Sequence, residues 1–253
     1  LQTLREGHTP LHLLSMDFDW LRLKNLQIMR TEALLLQRIC KKMKELPFVL
    51  HTSFNNDSGR MTAWSEVLQE ELGLTKEQVF FLDGQSKDAI HYRFKSNPDE
   101  TIPELLKQGV RAFLLSPAVS TGFSYKGKDI ENVYAVFNNA IFGCYDIKQT
   151  ISRFRLAKNV KVAITAKRYP HREYGKKDSD EHFERLRFFA SKKDLIERTE
   201  LLSAFRSLLK ERKIPFSEKE EDAQQHYIEL IEKLSINEEI LERVRESYQE
   251  TAK

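Results

Sequence analysis

Val110-Arg-Ala-Phe-Leu-Leu115-Ser-Pro-Ala-Val-Ser120-Thr-Gly-Phe-Ser124 decides the fold. An apolar run of strand length stops at Ser116-Pro117 and gives way to a polar turn, the sign of a buried strand delivering its C-terminal end to a loop. Outward from it, four more short apolar runs have the same character: Phe48–Leu50, Val79–Leu82, Val133–Phe137 and Val160–Ile164. Helical spacing fills the gaps, at residues 31–46, 64–72, 87–94, 102–107 and 146–156. Strands alternating with helices predict an α/β class, a mostly parallel sheet with helices on both faces. Beyond Tyr169-Pro170 the strand signals stop, and residues 181–212, 218–234 and 237–249 read as charged amphipathic helices. The apolar residues of the first thirty positions mix helical and strand periods and give no assignment. The expected organisation is a lead-in over 1–46, a core α/β domain over 47–168 and a helical C-terminal extension over 169–253.

The chain has 253 residues, 40% hydrophobic and 31% charged, with mean hydropathy −0.53 and no apolar run near the roughly 18 residues that cross a bilayer. A membrane partner is not expected. Two distant cysteines, Cys40 and Cys144, fit a reducing intracellular setting, cytoplasmic or nuclear. Leu1 is no initiator and shows no leader pattern, so the expectation is a piece of a longer protein. The net charge of +3 hides an asymmetry. Residues 148–177 hold ten Lys or Arg against one acid, and 217–253 hold eleven acids against five bases. A local basic stretch points to an anionic partner.

Two pattern matches fail on chemistry. Gly122-Phe-Ser-Tyr-Lys-Gly127-Lys-Asp129 nearly matches a phosphate-binding loop, but Asp129 stands where Ser or Thr must ligate Mg²⁺, and a strand follows instead of a helix. Asp180-Glu-His182 lies in a charged stretch, not at the end of a buried strand. The seven histidines have no Cys partner nearby, so no metal site is expected.

The informative signal is a series. Val49-Leu-His-Thr-Ser53, Leu82-Asp-Gly-Gln-Ser86, Ser116 to Ser124 and Gln149-Thr-Ile-Ser-Arg153-Phe-Arg155 follow one another at spacings that resemble the second RecA-like domain of superfamily 2 helicases over about residues 47–166. In that resemblance they occupy motif IV, the segment after it, motif V and motif VI. Ser152 replaces the usual motif VI glycine and Arg155 follows Arg153 by two residues, not three. This compact form is similar to herpesvirus-type origin-binding helicases and to plasmid and phage replication proteins.

The resemblance implies the C-terminal half of an ATP-dependent helicase or translocase, DNA-directed and replication-related, inactive alone. ATP and Mg²⁺ would be bound mainly by a preceding RecA-like domain outside this chain. Arg153 is the expected finger on the γ-phosphate, since a planar permanent cation matches the transferring group. Arg155 is a second phosphate contact or a structural partner, for on a regular helix the two point about 200° apart. Gln149, one turn before Arg153, would orient the same phosphate, and Gly122 and Ser124 would line the nucleotide side. Thr52, Ser53, Ser116 and Thr121, with Lys167 and Arg168, would meet a nucleic-acid backbone, single-stranded DNA by preference; Thr52, Ser53 and Ser116 read equally well as strand-end caps. Phe142 and Tyr145 read as core, with base stacking as the lesser alternative. The rival is a non-catalytic nucleic-acid-binding or replisome-scaffolding module on the same fold.

Overall fold

Strand β2 (Phe48–His51), β4 (Ala112–Leu115) and β5 (Asn132–Asn138) are buried at every position. Side chains alternate between the two faces of a strand, so uninterrupted burial means that both faces of the sheet are covered. The computed structural model describes residues 21, 24–29, 31–40, 46–53, 60–84, 86–117, 123–138, 142–165 and 200–219. Thr121, Gly122, Lys167, Arg168 and residues 180–182 lie outside them.

Seven strands form one sheet in the order β3-β4-β2-β5-β6-β1-β7, where β1 is Asn25–Met29, β3 Val79–Leu82, β6 Asn159–Thr165 and β7 Phe216–Lys219. Every pairing is parallel. Helices α1 (Glu32–Cys40) and α2 (Arg60–Leu72) cover one face, with Leu34, Leu36, Trp64 and Leu68 buried against Phe48, Leu50 and Tyr134. Four others cover the opposite face: α3 (Ala89–Ser96), α4 (Pro98–Lys107), α5 (Cys144–Ile151) and α6 (Leu201–Glu211). The α/β class and the five strands expected from the sequence are present. Among the described residues no helix is long and apolar enough to cross a membrane.

Four expectations are corrected. The sheet is wider than residues 47–168, for β1 enters between β6 and β7, and β7 adds an edge. β7 carries almost no strand signal because Phe216-Ser-Glu-Lys219 is a short, polar edge whose partner β1 lies far off in sequence. Residues 218 and 219 belong to it and not to a helix, and bidentate Arg206–Glu218 bonds at 2.8 and 2.5 Å tie it to α6. Helix α4 starts earlier than residue 102, with Pro98 in its first turn and Asp99 and Glu100 facing the positive helix end. Finally, α5 stops at Ile151 and leaves both arginines outside it. Ser152 Oγ donates to Lys148 O at 2.7 Å, a back-bond that competes with the helical ladder.

Because α6 buries Leu201, Phe205, Leu208 and Leu209 in the same core as β5 and β6, it is part of the domain's stability. Phe205→Ala should cost about 3–5 kcal/mol, as much as Phe137→Ala in the middle of the sheet. Urea denaturation checks this; a cost below about 1 kcal/mol would make residues 201–211 a separate appendage.

Candidate nucleic-acid and phosphate-facing site

Parallel strands bring their C-terminal ends to one edge. Strand β2 leads through α2 on one face toward β3, whereas its neighbour β5 leads through α5 on the other face toward β6. Connections leaving two adjacent strands in opposite directions open a crevice, the place where open α/β sheets take ligands. Thr52 and Ser53 end β2 there, Ser116 ends β4 and Asn138 ends β5.

These strand-end groups are buried and engaged. Thr52, Ser53 and Ser116 are at most 2% exposed. Thr52 Oγ1 donates to Leu115 O at 3.4 Å, and Asn138 Nδ2 donates to Ser53 Oγ at 3.0 Å across the crevice. The amides of Thr52 and Ser116 donate to Leu115 O and Leu82 O. The three hydroxyl residues therefore knit the ends of the central strands. Asn138 was not singled out from the sequence, although a polar residue closing the apolar run 133–137 was its signal.

The two arginines meet the segment that follows β4. Past the end of α5 the chain extends and forms an isolated parallel bridge, Tyr125 with Phe154. Tyr125 N donates to Arg153 O at 2.8 Å and Arg155 N donates to Tyr125 O at 2.9 Å. Arg153 and Arg155 flank the bridge residue, and both reach the same segment. Arg153 Nη1 donates to Phe123 O at 2.6 Å and Arg155 Nε to Ser124 Oγ at 2.8 Å. The divergence that a regular helix would impose does not arise, because the helix has already ended at Ile151. Arg153 is only 8% exposed and burial lowers its pKa, while Arg155 is half-buried. Gln149 stays exposed on α5.

Under this pair, the Phe154 ring contacts Phe123, Tyr125 and His51 at centroid distances of 5.3, 5.8 and 5.9 Å. His51 is 2% exposed, and its Nε2 has no hydrogen-bond partner among the described residues. Burial, with the Arg153 charge adding to it, pushes the imidazole pKa down to about 3. From the other side comes Lys24, 3% exposed, whose ammonium donates to Phe154 O, Ala157 O and Arg155 O at 2.6, 3.0 and 3.2 Å. Burial lowers its pKa to about 8. Desolvating an ammonium costs several kcal/mol, and three charged hydrogen bonds return about 1.5–3 kcal/mol each, so the contact nearly balances and specifies geometry more than it adds stability. Nothing local in the sequence announces Lys24, since its partners lie some 130 residues away.

The near-match to a phosphate loop has a packing explanation. Tyr125 Oη donates to Asp129 Oδ2 at 2.6 Å, Lys126 N donates to Asp99 Oδ1 at 2.7 Å, and Gly127 sits where a Cβ would collide with the Tyr125 hydroxyl. A strand follows, not a helix. Phe142 is buried against Phe137 with ring centroids 4.8 Å apart, which leaves it unable to stack on a base, whereas Tyr145 is 51% exposed. Among the described residues no cluster of His, Cys, Asp or Glu could hold a metal ion.

No family model and no curated protein matches the chain. Solved structures do resemble it at a distance. A variant of S. cerevisiae Dbp5 bound to a Gle1 variant and IP6 is 12% identical over 87% of this chain and 45% of that one, with a TM-score of 0.45. Mss116p DEAD-box helicase domain 2 bound to an RNA duplex gives 9%, 83%, 85% and 0.39, and T4 UvsW gives 11%, 79%, 42% and 0.39. The chain spans less than half the length of the first and the third.

The buried imidazole makes stability depend on pH with a fixed sign. Its folded pKa of about 3 lies below the ordinary 6.5, so as pH falls the unfolded chain takes the proton first. The His51 contribution is fully present above about pH 6.5 and declines by about 1.4 kcal/mol per unit from there toward pH 3. Urea denaturation at pH 7 and pH 5 should show a loss of about 2 kcal/mol that His51→Leu removes. An equal loss in both proteins would mean that His51 is protonated in the fold.

Proposed function

We propose that this chain supplies the second RecA-like domain of an ATP-dependent nucleic-acid helicase or translocase of superfamily 2, directed to single-stranded DNA in replication. The observation that supports the reading is the docking of the arginine segment on the residues after β4: Arg153 on Phe123 O and Arg155 on Ser124 Oγ, beside the crevice at the strand ends. Motif V and motif VI of the resemblance are thereby one hydrogen-bonded unit. A shift of the strand-facing loop moves the guanidinium groups, and such a coupling is what a motor needs.

In this proposal Mg²⁺ and the phosphates of ATP belong to a preceding RecA-like domain outside these 253 residues, as the donors described here suit neither. ATP supplies the phosphoryl group whose transfer drives movement. The part of this chain is electrostatic. Arg153 leaves the Phe123 carbonyl for the phosphate when the domains close, and Arg155 holds the turn through Ser124. Gln149, exposed one turn earlier, orients the same phosphate, and Gly122 lines its approach. Thr121, Lys167 and Arg168, which come after β4 and β6 in the sequence, are in this proposal contacts to the nucleic-acid backbone, a sequence-tolerant mode of binding. Of the ten cations in residues 148–177, Lys161 and Arg153 are buried, Lys158 pairs with Glu131 and Arg155 bonds Ser124; the five at 167, 168, 172, 176 and 177 lie outside the described residues, and in this proposal they attract the strand.

The burial of Arg153 also favours a second reading, a nucleic-acid-binding scaffold in which this side chain only holds the fold. One variant separates the two. In the longer protein, Arg153→Ala should lower kcat for strand-stimulated ATP hydrolysis by about a thousandfold or more and leave strand affinity within about threefold. Under the scaffold reading the same variant shifts the melting temperature, and there is no strand-stimulated turnover to lose.

A further inference from the structure

We infer that Lys24 is a positioning residue for the arginine segment, clamping the backbone from which Arg153 and Arg155 project. This rests on the phosphate-facing role proposed for Arg153. An ammonium has three N–H donors, and Lys24 spends all three on the carbonyls of Phe154, Arg155 and Ala157. Those carbonyls belong to the turn between α5 and β6, outside any helix or strand; Phe154 O also accepts from Ala157 N at 3.2 Å, and the ammonium draws all three toward one point. The base of the clamp is rigid. Lys24 immediately precedes β1, whose first amide donates to Lys158 O at 2.7 Å, and Lys24 N donates to Leu21 O at 3.1 Å. A charge anchored at the start of β1 thus holds the turn through its carbonyls, while Tyr125 bridges it at Phe154. Without that charge the turn keeps its two bridge bonds but loses the acceptor side, and the guanidinium of Arg153 no longer has a fixed point of origin. Misplacement of a catalytic group by about 1 Å costs roughly a hundredfold in rate.

Lys24→Met keeps the length of the side chain and removes every donor; Lys24→Arg keeps charge and donors. In the full-length protein, Lys24→Met should lower kcat for strand-stimulated ATP hydrolysis by about tenfold to a hundredfold with KM for ATP and strand affinity within about twofold, and Lys24→Arg should recover most of the loss. In an Arg153→Ala background Lys24→Met should add no further loss, because both act through one guanidinium. Full additivity, or an unchanged kcat in the folded Lys24→Met protein where Arg153→Ala does lower kcat, would overturn the inference. If Lys24→Met does not fold, Lys24→Gln, which retains two N–H donors, should show a partial loss, and full activity there would overturn it equally. Amide hydrogen exchange in this chain separates the two levels: the Tyr125 and Arg155 amides should exchange at least about tenfold faster in Lys24→Met with β2 and β5 amides unchanged. Faster exchange with a kcat that Arg153→Ala also leaves intact would refute the phosphate-facing role and keep the clamp; unchanged exchange would refute the clamp.

Discussion

The bridge between Tyr125 and Phe154 is the constraint on which the site depends. Two backbone hydrogen bonds join the segment after β4 to the segment after α5, although β4 and β6 are separated in the sheet by β2 and β5. The bridge sets Arg153 and Arg155 on either side of Phe154, and both side chains bond the facing segment, at Phe123 and Ser124. It also buries the Phe154 ring among Phe123, Tyr125 and His51, an apolar floor that keeps water away from the guanidinium of Arg153. Loss of that floor would weaken every polar contact above it, for a hydrogen bond in a low-dielectric site is stronger than the same bond in water.

Electrostatics around the bridge is arranged by burial. Lys24 approaches the carbonyl side and Arg153 the opposite side, so two buried cations share a few residues of backbone whose exposed dipoles are carbonyl oxygens. His51 is held neutral first by its burial and then by the Arg153 charge, both of which oppose its protonation. Stability and site geometry are therefore linked: conditions that charge His51 act against the packing that holds Arg153.

The central strands were legible because burial on both faces writes an apolar run, which is the plainest signal a sequence carries. Residues 48–51, 79–82, 112–115, 132–138 and 159–165 fall within a residue or two of their expected places. β1 was hidden by neighbouring leucines with mixed spacing. β7 was hidden by its own polarity, since an edge strand is specified by its partner. The end of α5 misled for a different reason: Phe154 continues the helical spacing of Ile147 and Ile151, and only the Ser152 back-bond and a tertiary bridge overrule it. The candidate arginines were found by their order relative to Ser116 and Gly122. The direction in which they point, the engagement of Thr52 and Ser53 and the clamp by Lys24 are long-range facts that no local pattern contains.

The central claim is that Arg153 exchanges the Phe123 carbonyl for a phosphate when a partner domain closes on this edge. The direct test is a structure of the longer protein with single-stranded DNA, Mg-ADP and aluminium fluoride. The account predicts an Arg153 guanidinium nitrogen about 3 Å from a fluoride of the analogue, with the Tyr125–Phe154 bridge intact. Arg153 still bonded to Phe123 O while another cation contacts the analogue would contradict it.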